Sequence, residues 1–122
     1  MSKNAPSTSS ALLVQAEAGA GFAASHNNQP ANFLVVVTNP VTGEAVTDLV
    51  QKNFTIVNHF SLPGQTCGFS NNITLFNNVL NGAYHIQVKP KNCNWVAGAY
   101  LAQIIVAAKG RNGQATAALL IK

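Results

Sequence analysis

From Phe33 to Ile121 the chain is a succession of short apolar runs, each closed by Gly, Pro or Asn-rich punctuation. Runs of four to eight residues cannot build long helices, but they suit strands that bury one face and turn back on themselves. The pattern predicts an all-β fold, a seven-stranded antiparallel β-sandwich. The expected strands cover about 11–17, 32–39, 53–60, 73–77, 83–89, 99–108 and 114–121.

Particular residues carry that reading. Phe33-Leu-Val-Val-Val37 is apolar on both parities and β-branched, as a strand in the middle of a sheet is. Ala83-Tyr-His-Ile-Gln-Val-Lys89 alternates, which sends Tyr84, Ile86 and Val88 inward and His85, Gln87 and Lys89 outward, and Pro90 ends the run. Gly110-Arg-Asn-Gly113 reads as the hairpin turn between the last two strands, with Asn112-Gly113 its strongest signal. Gly82-Ala-Tyr84 and Gly98-Ala-Tyr100 each open a strand, the ring buried and the hydroxyl reaching backbone. A helix over Ala97–Ala108 is opposed by Gly98 and by Ile104-Ile-Val106. One over Ala11–Ala24 is interrupted by Gly19, Ala20 and Gly21.

A chain of 122 residues suits one domain, expected at 11–122 behind a flexible leader at 1–10. Only 8% of residues are charged, against roughly 25% in a typical soluble domain. Solubility then falls to Asn, Gln, Ser and Thr, and weak surface charge leaves little repulsion between copies. The net charge of +4 reflects the scarcity of acids (Glu17, Glu44 and Asp48). The cations are scattered, which argues against nucleic acid as a partner. No apolar run reaches the ~18 residues of a membrane span, and the leader carries no apolar signal segment.

Val37-Thr-Asn-Pro-Val-Thr-Gly-Glu-Ala-Val-Thr-Asp-Leu49, followed by Asn53-Phe-Thr-Ile56, resembles the stretch between the second and third strands of bacterial immunoglobulin-like and macroglobulin-like sandwich domains. There a strand ends in an Asp/Asn-x-x-x-Gly turn, and the next opens with Asn-Phe. The glycine-x-tyrosine openings at Gly82 and Gly98 are similar to those of the same families. The resemblance covers about residues 32–121 and implies that the seven-stranded sandwich is immunoglobulin-like, a modular surface, adhesion or accessory domain, mostly without catalysis. It departs from antibody domains in having no cysteine pair on the second and sixth strands.

Chemistry-bearing residues are few. His26, His59 and His85 are the candidates for imidazole or metal chemistry, but parity sends His59 and His85 outward on opposite sheets and leaves His26 in a polar loop. Three acids offer little for paired-carboxylate catalysis, and no nucleophile elbow or phosphate loop is present. Cys67 with His59 is the one nucleophile pairing to weigh, and it lacks an orienting carboxylate. The expectation is no enzyme, no cofactor and no metal. Asn53-Phe-Thr55 and Asn72-Ile-Thr74 match the glycosylation sequon, as chance allows in a chain with fifteen asparagines.

Cys67 and Cys93 have another use. Strand order brings the third–fourth and fifth–sixth connections to one pole, where the two could form a disulfide closing a loop of about 26 residues, worth about 3–4 kcal/mol. The alternative is two free thiols in a reducing compartment. A disulfide argues for an extracytoplasmic setting and the missing signal for the cytoplasm, so the compartment stays open.

The expected interface is the outer face of the sixth and seventh strands, with Leu101, Ile105, Ala118 and Leu120, which is too apolar for water alone. Its partner is another protein or a second copy, unless residues 11–22 fold over it. The alternative function is a carbohydrate or small-ligand site, with Trp95 stacking on the ligand and Asn92 and Asn94 holding its hydroxyls.

Overall fold

The computed structural model describes residues 11–19, 23–61 and 68–122, with backbone alone at 59–61. Among these residues seven strands follow in order: β1 Leu13–Gly19, β2 Ala31–Thr38, β3 Phe54–Ser61, β4 Ile73–Leu80, β5 Ala83–Val88, β6 Gly98–Ala108 and β7 Arg111–Ile121. Gln51–Asn53 forms a single 3-10 turn. The strands make two antiparallel sheets, β1-β2-β5-β4 and β3-β6-β7.

Period-two alternation decides the layers. On β2 Phe33, Val35 and Val37 are fully buried, on β5 Tyr84, Ile86 and Val88, and on β6 Ala102, Ile104 and Val106. The two inner faces meet through rings: Phe54 of β3 lies 5.1 Å from Phe76 of β4 and 5.2 Å from Tyr84 of β5. Aromatic pairs of this kind contribute about 0.5–1.5 kcal/mol each beyond the area they bury.

Three details differ from the sequence expectation. The β6–β7 hairpin turns at Lys109-Gly110, both at positive φ (53° and 76°), with Ala108 opposite Arg111. A two-residue turn of this sign matches the twist of its strands, so Asn112-Gly113 lies within β7 instead. The Asn-Gly pair that does turn is Asn81-Gly82 (φ 27° and 84°), between β4 and β5. On β3 the alternation running from Phe54 through Ile56 breaks between Asn58 and Phe60, where the register slips.

Both poles are tied by a tyrosine. Tyr84 donates its hydroxyl to the Val46 carbonyl (2.6 Å) and accepts the Leu49 N–H (3.2 Å), clamping the β2–β3 connection over the core. Tyr100, at the start of β6, binds the carbonyl and N–H of Val96 in the same way. Both glycine-x-tyrosine openings therefore do what their residue types suggest, with Gly82 and Gly98 at positive φ.

Candidate interaction surface

The outer face of β3-β6-β7 is built from alternate residues. Leu101, Gln103 and Ile105 of β6 stand opposite Ala118, Thr116 and Gln114 of β7, and Ala99 stands opposite Leu120. On the other side Ile105 faces Thr55 and Gln103 faces Val57 of β3. The inner partners alternate with these and are buried, which turns this set outward. Leu101 and Ile105 are half-buried among their neighbours, Ala118 is exposed, and Leu120 is 65% exposed. Gln103 and Gln114 pair with one another through their side-chain amides. None of these positions carries a charge.

Residues 11–19 do not cover this face. Leu13–Gly19 pairs along β2 in the other sheet and lies beside β7 where the two sheets meet, and just before it Leu12 N–H bonds the Asn112 carbonyl at 2.7 Å. Residues 20–22 and the leader at 1–10 lie outside the described residues.

The outer face of the four-stranded sheet is polar by contrast. Asn32 Oδ1 lies 2.7 Å from His85 Nε2 and accepts the Gln87 side-chain N–H at 2.9 Å. Cross-strand register sets Glu17, Leu34 and His85 in one row, with both polar groups beside an apolar residue that is 40% exposed. At the Tyr84 pole Asp48 pairs with Lys109 at 2.9 Å. Their mutual hydrogen bond and charge attraction lower the carboxyl and raise the ammonium from their ordinary values. Both partners are exposed, so the pair adds little stability. Burial pushes the phenols of Tyr84 and Tyr100 up.

The polar-loop residues are arranged otherwise than a sugar site needs. Trp95 is 1% exposed, donates its indole N–H to the Gln29 carbonyl at 2.7 Å, and packs on Phe69 and Tyr100 at 5.8 and 5.3 Å. This corrects the stacking role expected for it, because no ring face is left for a ligand. Asn94 is spent on the His26 carbonyl at 3.2 Å, and Asn92 is an exposed turn residue at φ 57°. Both sequon asparagines are also engaged, Asn53 with the Ala107 carbonyl and Asn72 with the Lys89 carbonyl.

His26 takes a left-handed turn conformation (φ 70°) and bonds Trp95 backbone; the His59 side chain lies outside the described residues. Among the described residues no group of three His, Cys, Asp or Glu could hold a metal. Cys67 lies outside them as well, so its pairing with Cys93 stays a proposal. Its sequence neighbour Gly68 accepts the Lys91 N–H at 3.2 Å, which brings the two connections together at one pole, and among the described residues no cysteine is free. No helix among them is long and apolar enough to cross a membrane.

What sequence reasoning missed is the treatment of the sheet edges. Ile56 N–H bonds Asn71 Oδ1, Ile56 carbonyl accepts Asn71 N–H, and Asn58 N–H bonds Ser70 Oγ, all at 2.8–2.9 Å, which closes the outer edge of β3. The Ser70-Asn71-Asn72 cluster was the available signal, since such residues satisfy backbone groups locally. Set against known proteins, the chain matches no family model, no curated protein and no solved structure.

Proposed function

We propose that the chain is an immunoglobulin-like, non-catalytic module that docks a protein partner on the outer face of β3-β6-β7. The observation that carries this reading is the uncharged, apolar row of Leu101, Ile105, Ala118 and Leu120 on a face that β1 leaves open. Flat apolar faces rimmed by polar residues are where protein partners seat. The strand order β1-β2-β5-β4 over β3-β6-β7 is that of a constant-type immunoglobulin sandwich. Tyr100 bonding backbone four residues upstream stands where such sandwiches carry their tyrosine corner, with Ala102 in the place of the second cysteine. A Cys67–Cys93 bridge belongs to this reading, pinning the pole opposite Tyr84 and favouring an extracytoplasmic setting.

The test is affinity capture from the native source with three immobilised forms: wild type, Leu101→Lys/Leu120→Lys, and Glu17→Lys as a control on the other sheet. Proteins retained by wild type and control but lost from the double variant, with circular dichroism unchanged, are the expected result. The same proteins on all three forms would remove the reading.

A further inference from the structure

We propose that the cleft between the β2–β3 connection and the β6–β7 turn binds a small zwitterion of the α-amino acid class. The cleft has a volume of about 360 Å³, within the range of small-ligand pockets. Leu12, Val46 and Leu49 give it apolar lining, and four charged residues join them: Glu44, Asp48, Lys109 and Arg111. It shares no residue with the outer row of Leu101, Ile105, Ala118 and Leu120, so the two sites are tested separately.

The chain has seven basic and three acidic residues, and two of the three acids line this one cleft. Asp48 and Lys109 pair at 2.9 Å, the one ion pair among the described residues, so Glu44 and Arg111 line the cleft with no ionic partner among them. Arg111 Nη2 donates to the Ala11 carbonyl at 3.3 Å, but its Nε is buried and has no hydrogen-bond partner. Buried donors in native proteins are nearly always paired, and an orphan on a charged group calls for an acceptor. Lys109 adds an independent sign. It holds φ 53° at the first position of its turn, whereas the other positive-φ residues that are not glycine are Asn or His, types that favour this region. Strained backbone of this kind gathers at ligand sites.

The wall from Glu44 to Leu49 is fixed before any ligand arrives. Val46 N–H bonds the Val37 carbonyl at 2.9 Å, and the Asn78 side-chain N–H bonds the Thr47 carbonyl at 2.7 Å. The Tyr84 hydroxyl holds both the Val46 carbonyl and the Leu49 N–H. A wall already ordered costs little to bind against. Charge selects the occupant. Two acids and two bases balance, which favours neither a simple anion nor a simple cation. A ligand with one charge of each sign meets both unpaired groups, its carboxylate on Arg111 and its ammonium on Glu44, and rests its body on the apolar lining.

The test is an amide NMR titration of the full chain with pools of the common α-amino acids, to about 10 mM. One or more amino acids are expected to shift the amides of Leu12, Thr47 and Arg111. Acetate and methylammonium, the two charged halves given singly, are expected to leave those amides in place. Glu44→Gln and Arg111→Gln are each expected to weaken the binding about ten-fold, the loss of one charge-assisted hydrogen bond. Should Arg111→Gln fail to fold, Glu44→Gln, at an exposed residue, carries the test. Cleft amides that stay in place with every pool overturn the proposal. So does a shift by acetate or methylammonium as large as that by the amino acid, which reads as an adventitious ion only, and so does an affinity unchanged in Glu44→Gln.

Discussion

Removing the hydroxyl of Tyr84 tests how much of this sandwich depends on one buried phenol. In Tyr84→Phe the ring keeps its packing on Phe54 and Phe76, at 5.2 and 5.7 Å, so the loss is confined to two hydrogen bonds. Each neutral bond contributes about 1 kcal/mol net. The Val46 carbonyl is half-buried and can recover water, but the Leu49 N–H belongs to a residue only 4% exposed and would stay unpaired. A stranded buried donor costs about 1–3 kcal/mol, so the expected loss is about 2–3 kcal/mol. Against a total stability of about 6–18 kcal/mol for a chain this long, that is a large fraction. Urea titration should show a lower midpoint at an unchanged slope, and the melting temperature should drop by about 8 °C. Proteolysis should then cut first in the segment from Ala45 to Val50. A loss below about 0.5 kcal/mol, or a changed slope with no new cleavage there, would refute the clamp.

Gly113→Ala should be more damaging than a strand glycine suggests: an added methyl collides with the Leu12 carbonyl and crowds Val14, prising β1 from β7. A drop in melting temperature together with faster exchange of the Leu12 amide is the expected result, and an unperturbed amide would contradict it. Stability should also fall as pH rises past about 10. The unfolded chain releases its phenolic protons there, while burial keeps those of Tyr84 and Tyr100 on, so the folded state's advantage is complete below that pH and fades above it. Denaturation midpoints measured from pH 8 to 11 should decline, and less steeply in Tyr84→Phe; a flat profile would contradict the burial of these hydroxyls.

The strands were legible because burial enforces period two on them. β2, β5 and β6 alternate without a break, and their inner and outer sets read directly from Phe33, Tyr84 and Ile104. What escaped was set by contacts distant in sequence. Asn112-Gly113 has turn chemistry, but its glycine answers to Leu12, about a hundred residues away, while Lys109-Gly110 makes the turn. Trp95 follows directly on the polar stretch Lys91-Asn-Cys-Asn94, yet Phe69, Tyr100 and the Gln29 carbonyl draw it into the core. The third strand reads as regular through Phe60, while the chain slips register after Asn58. Alternation names a face; it cannot say which loop will close over an edge.

The asparagines carry a role that composition alone disguised. Read as surface groups they supply solubility, but in the fold they stitch loops. Asn39 Oδ1 accepts the Val41 and Thr42 N–H groups, Asn27 Oδ1 those of Ala24 and Gln29, and Asn53 bridges Val50 to Ala107. Asn71 closes the β3 edge, Asn72 holds Lys89 and Asn78 holds Thr47. An amide offers a donor and an acceptor without desolvating a charge, and it tolerates the left-handed backbone found at Asn71, Asn81 and Asn92. A charged side chain at the half-buried ones, Asn27, Asn39, Asn53 and Asn72, would need a counter-ion, and the described residues contain one ion pair, exposed, between Asp48 and Lys109. Loops fastened by neutral amides free the surface from carrying charge. An uncharged outer sheet face can therefore persist on a chain whose loops are fastened without ion pairs.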